Sequence, residues 1–353
     1  MFKNIKFENF KGFTKCELNN MSQITLISGK NNSGKSSVLE GMFLFIDHAS
    51  PDSFYKLNRF RGITEAPNST GVWESAFYDN TKGLKIVGDF GDGPTSILYT
   101  KDDSFVPFDP NMNPDILNQF ITSVKSAYSL MFEYQNDQYT ETGHFIVSQA
   151  GLMRNIQTSQ DGNIIKPMPH AQYINNLIAT TDESIVEWFG QIELKGQVKE
   201  LIETLKIIEP CLDDISAIFV NGKSQLFGKV NGKWLSLKQA GDGISRLLYI
   251  MLVIMSNPQS FILVDEIENG FHYSIYEKLW KVIIDAAKKN NCQLIVTTHS
   301  YDNIVAAVEA VESMSCEDLF CYYRMDKSEQ GCFGKRFSFE QLKNAVLLKL
   351  EVR

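Results

Sequence analysis

The chain has 353 residues, 43% of them hydrophobic and 22% charged, and carries a formal net charge of −8. That length suffices for one large packed domain or two lobes, and the composition is that of a globular protein. No apolar run reaches the length of a membrane span. The opening MFKNIKFENF lacks the apolar centre of a secretory leader, and the acidic balance argues against a protein that coats nucleic acid non-specifically.

A cytoplasmic location is therefore expected. Cys16, Cys211, Cys292, Cys316, Cys321 and Cys332 form no CxxC pair and no cluster with histidine, so they read as free thiols in a reducing compartment. Lys3, Lys6, Lys11 and Lys15 read as a solvated strand face rather than as one basic patch.

In chain order, residues 2–10 alternate apolar and polar positions as a strand does, and 23–28 (QITLIS) form a buried strand. A glycine-rich turn leads into a helix from Lys35 to Asp47. The stretch 48–110 is rich in turns, with short alternating runs at 84–90 and 96–100 that predict an antiparallel β section. Residues 114–130 and 182–208 have a helical pattern, and strands recur at 215–220 and 225–230. From 243 the pattern changes to strict alternation: a helix over 243–256, a strand over 260–264, a helix over 274–289, a strand over 292–297 and a helix over 301–313. Such alternation predicts a parallel sheet with helices on its faces. The expected division is an α/β core from 1–47 and 233–353, with 48–232 inserted as a β/helical lobe.

Four segments carry chemistry. Residues 29–36 (GKNNSGKS) match the phosphate-binding loop GxxxxGK[ST] between a buried strand and a helix. Gly29 and Gly34 allow backbone conformations that turn N–H groups of Asn31, Asn32, Ser33 and their neighbours toward an anion at the helix start. Lys35 adds a mobile positive charge, the Ser36 hydroxyl is placed to ligate Mg2+, and Ser37 follows in the same turn. The second segment, 261–266 (FILVDE), is an apolar strand that ends in two carboxylates. After a phosphate loop, Asp265 is expected to hold Mg2+, directly or through water, and Glu266 to act as general base on the attacking water.

The third segment, 294–300 (LIVTTHS), is a buried strand that delivers His299 to its end, within reach of a γ-phosphate. In the fourth, Gly241 and Gly243 flank Asp242 at the start of the apolar helix. The glycines would let backbone approach a phosphate supplied by a second subunit; equally, Asp242 would serve as an ordinary helix N-cap. Both readings stand at this point.

Together with the opening FKNIKFENFKGF, the run DEIENGFH at 265–272 and the ending LKLEVR, these motifs resemble the ATP-binding-cassette ATPases. The resemblance is to the branch that holds RecF, the SMC heads and the overcoming-lysogenization-defect (OLD) proteins, and within it to the bacterial AAA15 family. It implies an α/β P-loop NTPase head with a mixed or parallel sheet, an antiparallel β section and an inserted helical lobe. It also implies ATP and Mg2+ as cofactors, and a homodimer or higher homo-oligomer joined through its heads. In that assembly Gly241, Asp242 and Gly243 meet the partner copy's nucleotide, and Asn269 and Gly270 occupy the D-loop.

The sequence departs from the family pattern in two places. GDGIS stands where the transporters have LSGGQ, and no glutamine follows the first helix at a Q-loop position. Gln149 and the Arg59/Arg61 region are the candidates for that role. The residues after His299 suffice to finish the sheet but not to add the Toprim nuclease domain of OLD nucleases. The resemblance therefore implies a separate effector, a nuclease, in bacterial defence against phages. A RecF-type DNA-processing ATPase and an ATP-locked scaffold with little turnover are the alternatives. A P-loop kinase would leave the GDG segment and TTHS unexplained.

Overall fold

The computed structural model describes residues 1–50, 52–63, 71–79, 81–102, 128–138, 140–148, 151–159, 170–175, 182–237, 241–328 and 331–353. The chain forms two compact units. The first comprises Met1–Met21, Asn32–Met168 and Met325–Lys335; the second comprises Ser22–Asn31, Pro169–Arg324 and Arg336–Arg353. Residues 48–168 thus fall in the first unit and 169–232 in the second.

The first unit is built on a seven-stranded antiparallel sheet. It takes in β1 (Asn4–Phe10), β2 (Phe13–Asn19), β4 (Gly83–Asp89), β5 (Pro94–Lys101), β6 (Tyr128–Gln135), β7 (Thr140–Ser148) and β8 (Gly151–Ser159), in the order β2-β1-β4-β5-β6-β7-β8. Alternation drives these strands. Ile5 and Phe7 of β1, Leu84 and Ile86 of β4, and Ile97 and Tyr99 of β5 are buried, while their sequence neighbours are at least partly exposed. The helices of this unit are α1 (Lys35–Ile46), α2 (Ser53–Phe60) and the single turn α3 (Gly71–Glu74). Its core is aromatic: Phe2 packs on Phe45, Phe7 on Phe10 and Phe13, and Phe54 stands edge-on to Tyr99.

The helix expected over 114–130 is corrected where it can be seen. Residues 128–130 begin β6, because they pair with Val147, Ile146 and Phe145 of β7; 114–127 lie outside the described residues. Lys11 does not belong to a solvated face, since its ammonium pairs with the buried Glu40 at 2.6 Å.

The second unit holds parallel strands that read as nearly unbroken apolar runs because both faces are covered. These are β3 (Ile24–Gly29), β9 (Ala171–Ile174), β13 (Phe261–Val264) and β14 (Gln293–Thr298). With β15 (Phe320–Ser328) and β16 (Gly331–Phe337) they form a six-stranded sheet in the order β16-β15-β3-β14-β13-β9. A separate antiparallel sheet joins β10 (Leu212–Val220), β11 (Lys223–Val230) and β12 (Lys233–Ser236).

The helices of the second unit are α4 (Asp182–Leu194), α5 (Val198–Leu205), α6 (Asp242–Ser256), α7 (Tyr276–Lys289), α8 (Tyr301–Ser313) and α9 (Phe339–Leu347). Its core is aliphatic, with Leu252, Val253 and Ile254 of α6 and Ile283 and Ile284 of α7 removed from solvent, and Trp280 the largest buried side chain. All six cysteines are free thiols, five buried and Cys211 exposed. Among the described residues no helix is long and apolar enough to cross a membrane.

Candidate functional site

The register of the parallel strands brings three strand ends to one edge. Ser28 of β3 lies opposite Thr298 of β14, and Val264 of β13 lies opposite Val296, so Gly29, His299 and Asp265 emerge side by side. In open α/β sheets, ligands bind outside the carboxyl ends of the strands. The closing residues are tied to the same place, because the Val352 carbonyl accepts from the Ser28 hydroxyl (3.2 Å) and from the Tyr322 hydroxyl.

From Gly29 the chain runs through the phosphate loop into α1. Gly29, Asn32 and Gly34 take φ values of 148°, 61° and 96°. At Gly34 a Cβ would lie 2.6 Å from the Phe13 ring, so both the backbone and the space demand glycine there. Lys35 is 7% exposed and Ser33 4%. The Ser33 hydroxyl is buried with no hydrogen-bond partner among the described residues, although buried polar groups are ordinarily bonded. An orphaned hydroxyl in this loop fits a site that takes an oxyanion.

The acidic pair is held by a dense set of contacts within the second unit. Thr297 Oγ1 donates to Asp265 Oδ1 (2.5 Å) and accepts from the Glu266 N–H (2.8 Å). The Tyr173 hydroxyl donates to Asp265 Oδ2 at 3.2 Å. Arg246 Nη2 donates to the carbonyl oxygens of both Asp265 and Glu266, each at 3.0 Å. Burial draws this guanidinium below its ordinary pKa, and Glu268, Asp265 and Glu266 oppose that shift. Glu266 sits at φ 51°, and Asn269 Nδ2 donates to its Oε2 at 2.7 Å. Its side chain keeps 42% of its exposure, which leaves it open to a water.

His299 stands between two carboxylates, with Nδ1 3.0 Å from Glu268 Oε1 and 3.8 Å from Glu266 Oε1. At the GDG segment the N-cap of α6 is Gly241 (φ 121°), with no side-chain cap bond. Asp242 is therefore the first helical residue, and the N-cap reading of it is corrected. A Cβ at Gly243 would lie 2.9 Å from the Gly270 carbonyl oxygen, which brings the GDG segment and the expected D-loop into contact.

Of the candidates for the missing glutamine, Gln149 lies outside the described residues. Arg61 is committed to Glu40 of α1, Nε to Oε1 at 2.5 Å and Nη2 to Oε2 at 2.8 Å. Sequence reasoning passed over Tyr173, Arg246 and Glu268 as members of this constellation. The available signals were weak: a short strand for Tyr173, a basic residue three after Gly243, and a third acid two residues beyond Glu266.

A parallel array of strands with a glycine-rich loop after one strand and paired carboxylates after another defines a P-loop ATPase of the ATP-binding-cassette head type. Within that class the chain is similar to the AAA15-type ATPases. Residues 1–149 match the family model described as AAA ATPase domain, and residues 167–306 match the one described as AAA domain, putative AbiEii toxin, Type IV TA system.

A relative from Helicobacter pylori (strain ATCC 700392 / 26695), named ATP/GTP phosphatase, is 24% identical over 328 residues, covering 86% of each chain. Among solved structures, the SMC head bound to the C-winged helix domain of ScpA aligns with a TM-score of 0.52 at 12% identity, over 96% of this chain and 98% of that one. The SMC head with an extended coiled coil bound to the C-terminal domain of ScpA, from Pyrococcus furiosus, gives 0.50 at 11%, over 99% and 98%. These two likenesses are of fold.

Proposed function

We propose that this ATPase hydrolyses ATP with Mg2+ at the strand edge that carries Gly29, Asp265 and His299, and that it works as a homodimer. The observation that carries the reading is the locking of the acidic pair by Thr297, Tyr173 and Arg246 at that edge. A set of one hydroxyl and one carboxylate suits Mg2+, which takes one or two protein oxygens and fills its shell with phosphate oxygens and water. Ser36 and Asp265 are the residues that would hold it, and when bound it neutralises charge on the β- and γ-phosphates.

The chain's own residues do the rest. The loop amides and Lys35 bind and orient the triphosphate. Glu266 accepts a proton from the water that attacks the γ-phosphorus, so that the bond to the β–γ bridging oxygen breaks and ADP and phosphate result. Asn269 keeps the Glu266 carboxylate pointed outward, and His299 meets the γ-phosphate. Gly241, Asp242 and Gly243 of the second copy close over the nucleotide, and Asn269 and Gly270 lie along that seam. Closure drives a separate effector protein, in our reading a nuclease of a bacterial anti-phage system. That part rests on the toxin–antitoxin wording of one matching family and on neighbours titled as bound to a partner protein.

The deciding experiment compares Glu266→Gln with the wild type. The variant should bind ATP and shift toward dimer, while turnover falls by about 100- to 10,000-fold, the range for loss of a general base. Hydrolysis at the wild-type rate would sink the assignment of Glu266. Stimulation of the wild type by DNA, with no effector required, would favour the DNA-processing alternative.

A further inference from the structure

Behind His299 lies a chain of hydrogen bonds that reaches into the core. Glu268 is 6% exposed, and Asn303 and Trp280 are fully buried. The Trp280 indole N–H donates to Asn303 Oδ1. That bond fixes the Asn303 amide, so its Nδ2 is the atom that faces Glu268 Oε2, at 3.4 Å. The other oxygen, Oε1, accepts from the His299 backbone N–H at 2.8 Å and lies 3.0 Å from His299 Nδ1.

Donors therefore approach both Glu268 oxygens, the His299 backbone N–H at Oε1 and the Asn303 amide at Oε2. Nδ1 faces the same acceptor oxygen, which leaves Nε2 as the ring nitrogen turned away from Glu268. We propose that Glu268 is the positioning residue for His299, holding the ring with Nδ1–H toward its carboxylate and Nε2 presented outward to the γ-phosphate. The last part rests on the ATPase reading given above; the ring orientation does not.

The direction of the chain provides a test that a merely structural role would not pass. Glu268→Gln places an amide N–H2 against either His299 or the fixed Asn303 donor, so kcat should fall by about 10-fold, the value of one directional hydrogen bond, with KM for ATP little changed. Adding Asn303→Asp supplies an acceptor for that amide while still accepting from Trp280, so Glu268→Gln/Asn303→Asp should recover most of the lost kcat. Asn303→Asp alone sets two carboxylates together and should be worse than the double variant.

In parallel, the five histidines can be labelled with 15N in the ring and the His299 signals assigned with His299→Gln. The wild type should show a protonated Nδ1, and Glu268→Ala should lose that preference. A bare Nδ1 in the wild type overturns the proposal, as does a Glu268→Gln enzyme with unchanged kcat or a double variant no better than the single. If the wild type hydrolyses no ATP yet shows the Nδ1–H ring, the ATPase reading fails and the positioning role stands.

Discussion

Arg246 donates through Nη2 to the backbone carbonyl of Glu266 at 3.0 Å, and so ties the first turns of α6 to the turn that carries the acidic pair. The same nitrogen reaches the Asp265 carbonyl, so one side chain sets the path of both residues. A change in how α6 sits would move the backbone of the proposed general base with it.

Replacing Arg246 with methionine keeps much of the buried stem and removes both bonds. The cost should be about 2–3 kcal/mol, the range for bonds to a charged donor. Lysine should rescue only part of it, lacking the planar fork. Urea unfolding reads the stability, and kcat should fall more than ATP affinity does.

Gly243→Ala pushes a methyl group to 2.9 Å from the Gly270 carbonyl oxygen, and that oxygen belongs to backbone that cannot swing away. A loss of about 1–3 kcal/mol is expected, as for other overpacked sites, together with slower turnover. Gly190→Ala is the control: it lies within α4 with nothing inside 4 Å of its added Cβ, so helix propensity should make it stabilising by about 0.5–1 kcal/mol. Equal melting shifts for the two would contradict the close approach.

Glu40 is fully buried between Lys11 and Arg61. Burial pulls the Lys11 pKa below its ordinary value, and Glu40 opposes that shift. Glu40→Gln leaves two cations with a neutral partner and should cost about 3–5 kcal/mol. Glu40→Gln combined with Lys11→Met should recover part of that loss, measured by denaturant midpoint.

Thiol chemistry should separate the cysteines cleanly. Burial, with Cys332 as the next cause, pushes the Cys16 thiol up to about 12, so at pH 8 its reactive thiolate is scarce in the folded state. Exposed Cys211 should react with a disulfide reagent in the native protein, the five buried thiols only after unfolding. As pH rises toward 12, Cys16 should become more reactive; rapid labelling of Cys16 at pH 8 would contradict the packing around it.

The elements of the second unit were the more legible from sequence. Parallel strands buried on both faces make unbroken apolar runs, and 23–28, 260–264 and 292–297 anticipate β3, β13 and β14 to within a residue or so. The phosphate loop and the acidic pair could be read because their chemistry is local in sequence. β9 could not: four residues, Ala171–Ile174, carry no period, and only pairing with β13 makes them a strand. The helix expected over 114–130 ran into the first three residues of β6, where a short apolar run suits either period. The roles of Tyr173, Arg246 and Glu268 depend on partners 92, 20 and 31 residues away, and no local pattern records such pairs.

One consequence follows from the backbone at Glu266. Its φ of 51° is a region where a side chain is disfavoured, with a cost of the order of 1–3 kcal/mol that glycine would not incur. The residue proposed as the base thus occupies a position where the most comfortable amino acid has no side chain at all. Glu266→Gly should outlast Glu266→Ala on heating, and neither should turn over. A laboratory search that rewarded heat resistance alone would drift toward glycine there and silence the enzyme, so thermostabilised versions must be screened for activity at every round.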